Sequence, residues 1–309
     1  VTASLRDPFV SLPVRVPRSA PIDLALDGAF WRHAAHLGAT RLPGWFVRWA
    51  PAVIGASLAL GHGPARNTLS RQLARVRGRV GPAHDLVDLA RTFANFASCL
   101  TEELAKGSKN DRAPEVAVDD AYVARMLASP QGVIFATAHT AGWECLGALL
   151  ARTHDRRVMV VMQRERDPAA RALHDRVRLA AARGVEIVHV GEDPLACLPL
   201  MRHLRAGGVV ALQIDRVPKG MTGRKVQMFG ETGVVPEGVL RLAQLTGAPI
   251  LPVFSSRTGH RRYAVEVCSP VHVARHADAA ELDAAAQKLA DALQSFVRLH
   301  PTQWFAFGE

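Results

Sequence analysis

The sequence predicts an α/β fold: a mostly parallel central sheet flanked by helices, with a helical N-terminal segment in front of it. Two observations carry that expectation. From about residue 130 onward, short apolar runs alternate with stretches of helical periodicity, the texture of repeated β-α units. Of the 309 residues, 49% are apolar and 21% charged. Those are ordinary globular proportions, enough for a sizeable core, and they exclude whole-chain disorder.

Taken in order, residues 1–40 read as an irregular, Pro-containing lead-in. Next comes the cluster Trp45–Phe46–Trp49, beside Arg41 and Arg48. Aromatics next to cations suit a membrane interface, where an amphipathic ring sits at headgroup level. A helical pair packing these rings inward fits equally well. Leu86, Leu89, Ala90, Phe93, Phe96, Ala97 and Leu100 recur at helical spacing and predict an amphipathic helix over 85–106. The mixed-charge break at 107–114 is the best internal boundary. It divides a helical region, 1–110, from an α/β core, 111–309, that forms one compact unit. Within the core, strands are predicted over 132–138, 157–162, 185–190, 209–214, 250–254 and 263–267. Helices are predicted over 142–151, 167–183, 194–206, 236–246 and 278–300, the second opened by Asp167–Pro168 and the fourth stopped by Gly247.

The formal charge is +10, from 38 Lys plus Arg against 28 Asp plus Glu. Residues 1–110 hold fourteen of the cations and seven of the anions, so +7 of the surplus lies in the first third. Such a surface suits anionic lipid, nucleic acid or an acidic carrier protein. Nucleic acid is the weakest of the three: there is no zinc-finger spacing, no RNP signature and only two Tyr for base stacking. The cysteines, Cys99, Cys145, Cys197 and Cys268, are scattered without a C-x-x-C, which fits reduced thiols in a cytosolic setting. The most apolar early stretch, Leu42–Gly61, is broken by Pro43, Arg48 and Pro51. It leaves about 13 clean residues where a membrane span needs roughly 20. The expectation is a cytoplasmic protein without a transmembrane helix.

In open parallel sheets, ligands bind beyond the carboxyl ends of the strands. The first such end is informative. Gly132–Glu144 reads Gly-Val-Ile-Phe-Ala-Thr-Ala-His-Thr-Ala-Gly-Trp-Glu, with His139 in the turn and Glu144 on the first helical turn after it. From there a carboxylate can reach back to the imidazole, fix its tautomer and stabilise the imidazolium, leaving the other nitrogen to take a proton. Small Thr140, Ala141 and Gly142 let a substrate approach closely. The competing reading is an ordinary strand-turn-helix with a surface histidine.

His139-x4-Glu144 resembles the H-x4-[D/E] signature of the lysophospholipid acyltransferase superfamily. The Glu form resembles its lipid A late-acyltransferase branch, which includes phosphatidylinositol mannoside acyltransferases. The likeness extends through Leu212-Gln-Ile-Asp-Arg-Val-Pro-Lys-Gly220 and Val226-Gln-Met-Phe-Gly230, then Gly238–Pro252 and His300-Pro-Thr-Gln-Trp-Phe305. The resemblance implies His139 as general base and Glu144 as its orienter. It also implies a substrate-binding group of Arg164 after the second strand and Asp215, with Arg216 beside it, at the next strand end. A guanidinium there would hold an acceptor phosphate or support a developing oxyanion. The bland alternative for Arg164 and Asp215 is a structural ion pair flanking the cleft. Pro236-Glu-Gly238 is similar to a phosphate-binding element of glycerol-phosphate acyltransferases but lacks its following Thr-Arg, so it reads as a plain helix start. Members of the lipid A branch usually begin with a membrane-spanning helix, so the reading of Leu42–Gly61 points to peripheral attachment at the inner face of the cell membrane, or to a more soluble acceptor.

The function implied is transfer of a fatty acyl group from acyl-CoA or acyl carrier protein to a hydroxyl or amine of a lipid or glycolipid acceptor. Transfer is direct, since there is no G-x-S-x-G elbow to supply a serine nucleophile. No cofactor beyond the thioester donor is expected. Metal catalysis is unsupported because H-x4-E is not the H-E-x-x-H of a zinc site. Two rivals stand beside this reading: a thioesterase using the same dyad on water, and a non-catalytic lipid-binding or assembly protein. Expected partners are the thioester donor, a lipid-like acceptor, and an anionic membrane surface or carrier protein, with no nucleic acid.

Overall fold

The computed structural model describes residues 29–61, 63–127, 131–142, 157–163, 185–190, 197–218 and 220–305. Four helices come first: α1 (Ala29–Arg41), α2 (Gly44–Gly61), α3 (Gly63–Arg77) and α4 (Pro82–Leu104). The stretch expected to be irregular is thus helical from Ala29. No proline falls within Ala29–Arg41, and its Ala and Leu content favours helix. In α2, Val47, Pro51, Gly55 and Ala59 are buried at a spacing of four and pack on α4. A Cβ at Gly55 would lie 2.4 Å from the carbonyl oxygen of Phe93, so this crossing admits only glycine. The opposite side of α2 exposes Trp45 and Trp49, while Phe46 is half-buried. No helix among the described residues is long and apolar enough to cross a membrane.

The sheet follows. Its strands are β1 (Glu115–Ala117), β2 (Val133–Thr137), β3 (Val158–Gln163), β4 (Val185–Val190), β5 (Val209–Gln213), β8 (Ile250–Gly259) and β9 (Arg262–Val267). Their spatial order is β1-β9-β8-β2-β5-β3-β4. β8, β2, β5, β3 and β4 run parallel, and β9 turns back antiparallel to β8 with β1 parallel beside it. The mostly parallel α/β architecture is therefore as the sequence predicts. β6 (Gly223–Met228) and β7 (Glu231–Pro236) form a separate antiparallel hairpin that the sequence reading did not separate out. β8 also runs five residues beyond its expected end at Phe254, because β9 pairs with the extension.

Alternation along β2 sends Ile134 and Ala136 to one face, with Leu240 of α7 (Glu237–Thr246) and Leu289 and Phe296 of α8 (Ala279–Leu299). Val133 and Phe135 go to the other, with Val123 of α5 (Asp120–Leu127). α6 (Cys197–Arg205) precedes β5. All five residues of β2 are buried, as expected of a central parallel strand covered on both faces. α8 is started by a capping box, in which Asp278 accepts from the Glu281 N–H and Glu281 reaches back to the Asp278 N–H. The helices expected over 142–151 and 167–183 lie outside the described residues.

Candidate active site

The central position of β2 decides where the chemistry falls. β2 and β5 are paired in parallel from Val133↔Val209 to Thr137↔Gln213. Two residues further along each strand, the same offset of 76 brings His139 opposite Asp215. The two residues thus emerge side by side at the carboxyl end of the sheet. The turn after β2 is held open by a return of the chain near its end. Thr140 and Trp304 form an isolated antiparallel bridge. The Phe305 N–H donates to the His139 carbonyl (2.7 Å) and the Ala141 N–H donates to the Gln303 carbonyl (3.1 Å). Gln303 in turn ties its side chain to the backbone of Arg257 on β8.

His139 Nδ1 lies 2.9 Å from Oδ1 and 3.2 Å from Oδ2 of Asp215. The carboxylate also accepts the His139 backbone N–H at 3.2 Å and the Trp304 indole N–H at 3.0 Å. Its side chain is 0% exposed, whereas that of His139 is 29% exposed. Burial alone would push the Asp215 carboxyl upward. The adjacent His139, the Trp304 hydrogen bond and the Arg216 charge outweigh it and hold the carboxyl below its ordinary value. An ionised acceptor at Nδ1 selects the tautomer that carries its proton there and its lone pair on Nε2. A partly exposed imidazole of that tautomer can accept a proton from a bound hydroxyl.

The Arg216 guanidinium is tied to the chain at Phe305. Its Nη2 donates to the Phe305 carbonyl at 2.8 Å, and its buried Nε has no hydrogen-bond partner among the described residues. The structure therefore brings His139, Asp215 and Arg216 together through Trp304 and Phe305. Glu144 and Arg164 lie outside the described residues. Trp304 belongs to a block that carried the resemblance, but nothing in its local sequence ties it to a carboxylate 89 residues earlier.

A second buried carboxylate braces the turn from the other side. Glu102 on α4 accepts from Tyr263 Oη (2.5 Å), from Arg257 Nη2 (2.9 Å) and from the Arg261 N–H (3.2 Å), with His260 Nδ1 at 3.3 Å. The Tyr263 ring lies directly against Gly142. A Cβ there would sit 2.2 Å from the ring, and φ at Gly142 is +79°. Only glycine meets both conditions. The sequence offered no sign of this support, because its members come from α4, β8 and β9. Among the described residues, no group of three or more His, Cys, Asp or Glu side chains is placed to hold a metal ion.

Comparison with known proteins places this geometry in context. Residues 41–308 match the family described as bacterial lipid A biosynthesis acyltransferase. Two phosphatidylinositol mannoside acyltransferases of Mycobacterium tuberculosis, from strain CDC 1551 / Oshkosh and strain ATCC 25618 / H37Rv, are similar to the chain. Each is 28% identical over 301 residues, covering 93% of this chain and 89% of the relative.

Proposed function

The chain belongs to the bacterial lipid A biosynthesis acyltransferase family and is an acyltransferase acting on lipids; from that premise we propose that it acylates a hydroxyl of a glycolipid acceptor with His139 as general base. The observation that carries this reading is the contact of His139 Nδ1 with the fully buried, ionised Asp215. The acceptor oxygen attacks the thioester carbonyl while His139 Nε2 takes its proton. The C–O bond forms, and the carbonyl π electrons move onto oxygen in a tetrahedral intermediate. That intermediate collapses with loss of the C–S bond, and the imidazolium returns the proton to the departing thiolate. Asp215 stabilises the imidazolium throughout. Glu144, the acidic member of the H-x4-E motif, is assigned to orienting the same turn, and Arg164 and Arg216 to the oxyanion or an acceptor phosphate. Coenzyme A or acyl carrier protein carries the acyl group, and no other cofactor takes part. The glycolipid acceptor follows the named relatives, which are phosphatidylinositol mannoside acyltransferases. The enzyme works in the cytoplasm against the inner face of the cell membrane, touching it through the outer side of α2.

Mass spectrometry of products from purified protein, acyl thioester and glycolipid tests the reading. Acylated acceptor supports it. Free fatty acid formed equally with and without acceptor would show a thioesterase instead.

A further inference from the structure

A cavity of about 390 Å³ opens between the start of α2, the segment after α4 and the β8–β9 turn. Its walls include Trp45, Arg48, Trp49, Arg112, His260 and Arg261. Three guanidiniums converge there without a carboxylate. The Arg48 guanidinium stacks over the Trp49 ring at 5.1 Å. That of Arg261 is bound to the neutral carbonyls of Asn110 (2.6 Å) and Arg112. Neither Arg48 nor Arg112 makes an ion pair among the described residues. Glu102 touches His260 from behind, but its oxygens are already taken by Tyr263, Arg257 and the Arg261 N–H. Arg261 adopts φ of 55°, a left-handed conformation unusual for a residue with a side chain. Backbone strain of this kind is held in place by surrounding contacts, here the Arg261 N–H on Glu102 and the Glu115 N–H on the Arg261 carbonyl as well as the two guanidinium bonds. Burial first, then the charges of Arg261, Arg257 and Arg48, push the His260 imidazole below its ordinary value despite Glu102.

We propose that this cavity seats the phosphate of an anionic lipid headgroup while the outer face of α2 rests in the apolar layer of the same membrane. The guanidinium forks match phosphate oxygens in charge and shape. The occupant is a lipid because the cavity continues into an apolar stripe. Trp45, Trp49, Val53 and Leu60 share one side of α2 and are 69%, 63%, 69% and 65% exposed. A soluble phosphate would fill the cavity and leave that stripe in water, whereas a lipid engages both. The inference deepens the membrane contact proposed above and rests on it.

Co-sedimentation with vesicles of phosphatidylcholine, with and without phosphatidylglycerol, tests the site. Arg48→Gln with Arg112→Gln should weaken binding to the phosphatidylglycerol vesicles by about 25-fold, roughly fivefold for each basic residue at an anionic surface. Arg66→Gln with Arg79→Gln removes the same charge from exposed positions outside the cavity and should cost less than about threefold, because the per-residue figure holds only for cations at the bound anionic headgroup. Equal losses from the two pairs would mean diffuse attraction and overturn the site. Release of the protein from vesicles by coenzyme A would assign the cavity to a nucleotide phosphate and also overturn it. Tryptophan fluorescence of the unsubstituted protein gives a second measurement: phosphatidylglycerol vesicles should shift it to the blue and coenzyme A should not. The His139→Ala protein should bind vesicles as well as the original, so a failure of the proposed acyl-transfer chemistry and a failure of the headgroup site register in different assays.

Discussion

Asp215 and Glu102 both carry buried side-chain carboxylates, each surrounded by several donors, and both support the short turn that carries His139. Their company differs. Asp215 meets a partly exposed imidazole, an indole N–H and a backbone N–H. Glu102 is held closest by a phenol and a guanidinium, at 2.5 and 2.9 Å, groups that keep their protons at neutral pH, with the His260 imidazole farther off at 3.3 Å, and it draws α4, β8 and β9 together. A carboxylate saturated by permanent donors joins elements. One aimed at an imidazole open to solvent prepares a proton transfer. Burial alone does not distinguish the two; the titration range of the nearest side-chain partner does.

That contrast can be tested from the most damaging substitution downward. His139→Ala should lower acyl transfer by roughly 10²–10⁴-fold, the usual worth of a positioned general base, with the thermal midpoint nearly unchanged. Near-normal turnover by the folded variant would remove the proposed mechanism. Asp215→Asn should lose activity by about 10²-fold, the low end of the same range, because the imidazolium loses its counter-charge. Its effect should lie in kcat more than in KM, and a pure KM effect would make Asp215 a substrate contact.

Glu102→Gln should behave oppositely. Leaving Arg257 without its buried partner should cost about 3 kcal/mol of stability, while the folded fraction keeps its kcat. Chemical denaturation alongside specific activity separates the two, and a stable but inactive Glu102→Gln protein would erase the distinction. Gly142→Ala connects the regions, since the new methyl must displace the Tyr263 ring or move the turn bearing His139. It should lower both stability and kcat, and Tyr263→Phe should cost about 2 kcal/mol for the lost hydrogen bond to a carboxylate.

The smallest expected effect is in pH dependence. The Asp215 carboxyl is depressed in the folded state, so it contributes stability that is fully present above the ordinary carboxylate range. That contribution is lost as pH falls through the folded value. Urea melts between about pH 5 and pH 2 should therefore show the original protein losing more stability than Asp215→Asn, with the extra loss setting in below the ordinary carboxylate value and the two curves drawing together toward the acid end. Parallel curves would mean that Asp215 titrates alike in folded and unfolded chains.

The α/β class, most strand positions and His139 at a strand end were legible in the sequence, because apolar periodicity and turn residues are local signals. So was membership of the family, since its blocks follow one another along the chain. The partner at His139 Nδ1 was not. Glu144 is the nearer acid in sequence, and only the parallel register of β2 on β5 shows that Asp215 reaches the imidazole across 76 residues. The same holds for Trp304, brought to Asp215 by the return of residues 303–305 along the turn, and for Tyr263 against Gly142. It holds too for the tryptophans of α2, whose local pattern allowed either an inward or an outward face. Packing against α4 decided it: Gly55 sets the side on which two helices can touch, and the opposite side, with Trp45 and Trp49, is left outward. Local sequence encodes which residues prefer strand, helix or turn. Contacts between strands and helices far apart in the chain depend on register and close approach, and those exist only once the sheet has assembled.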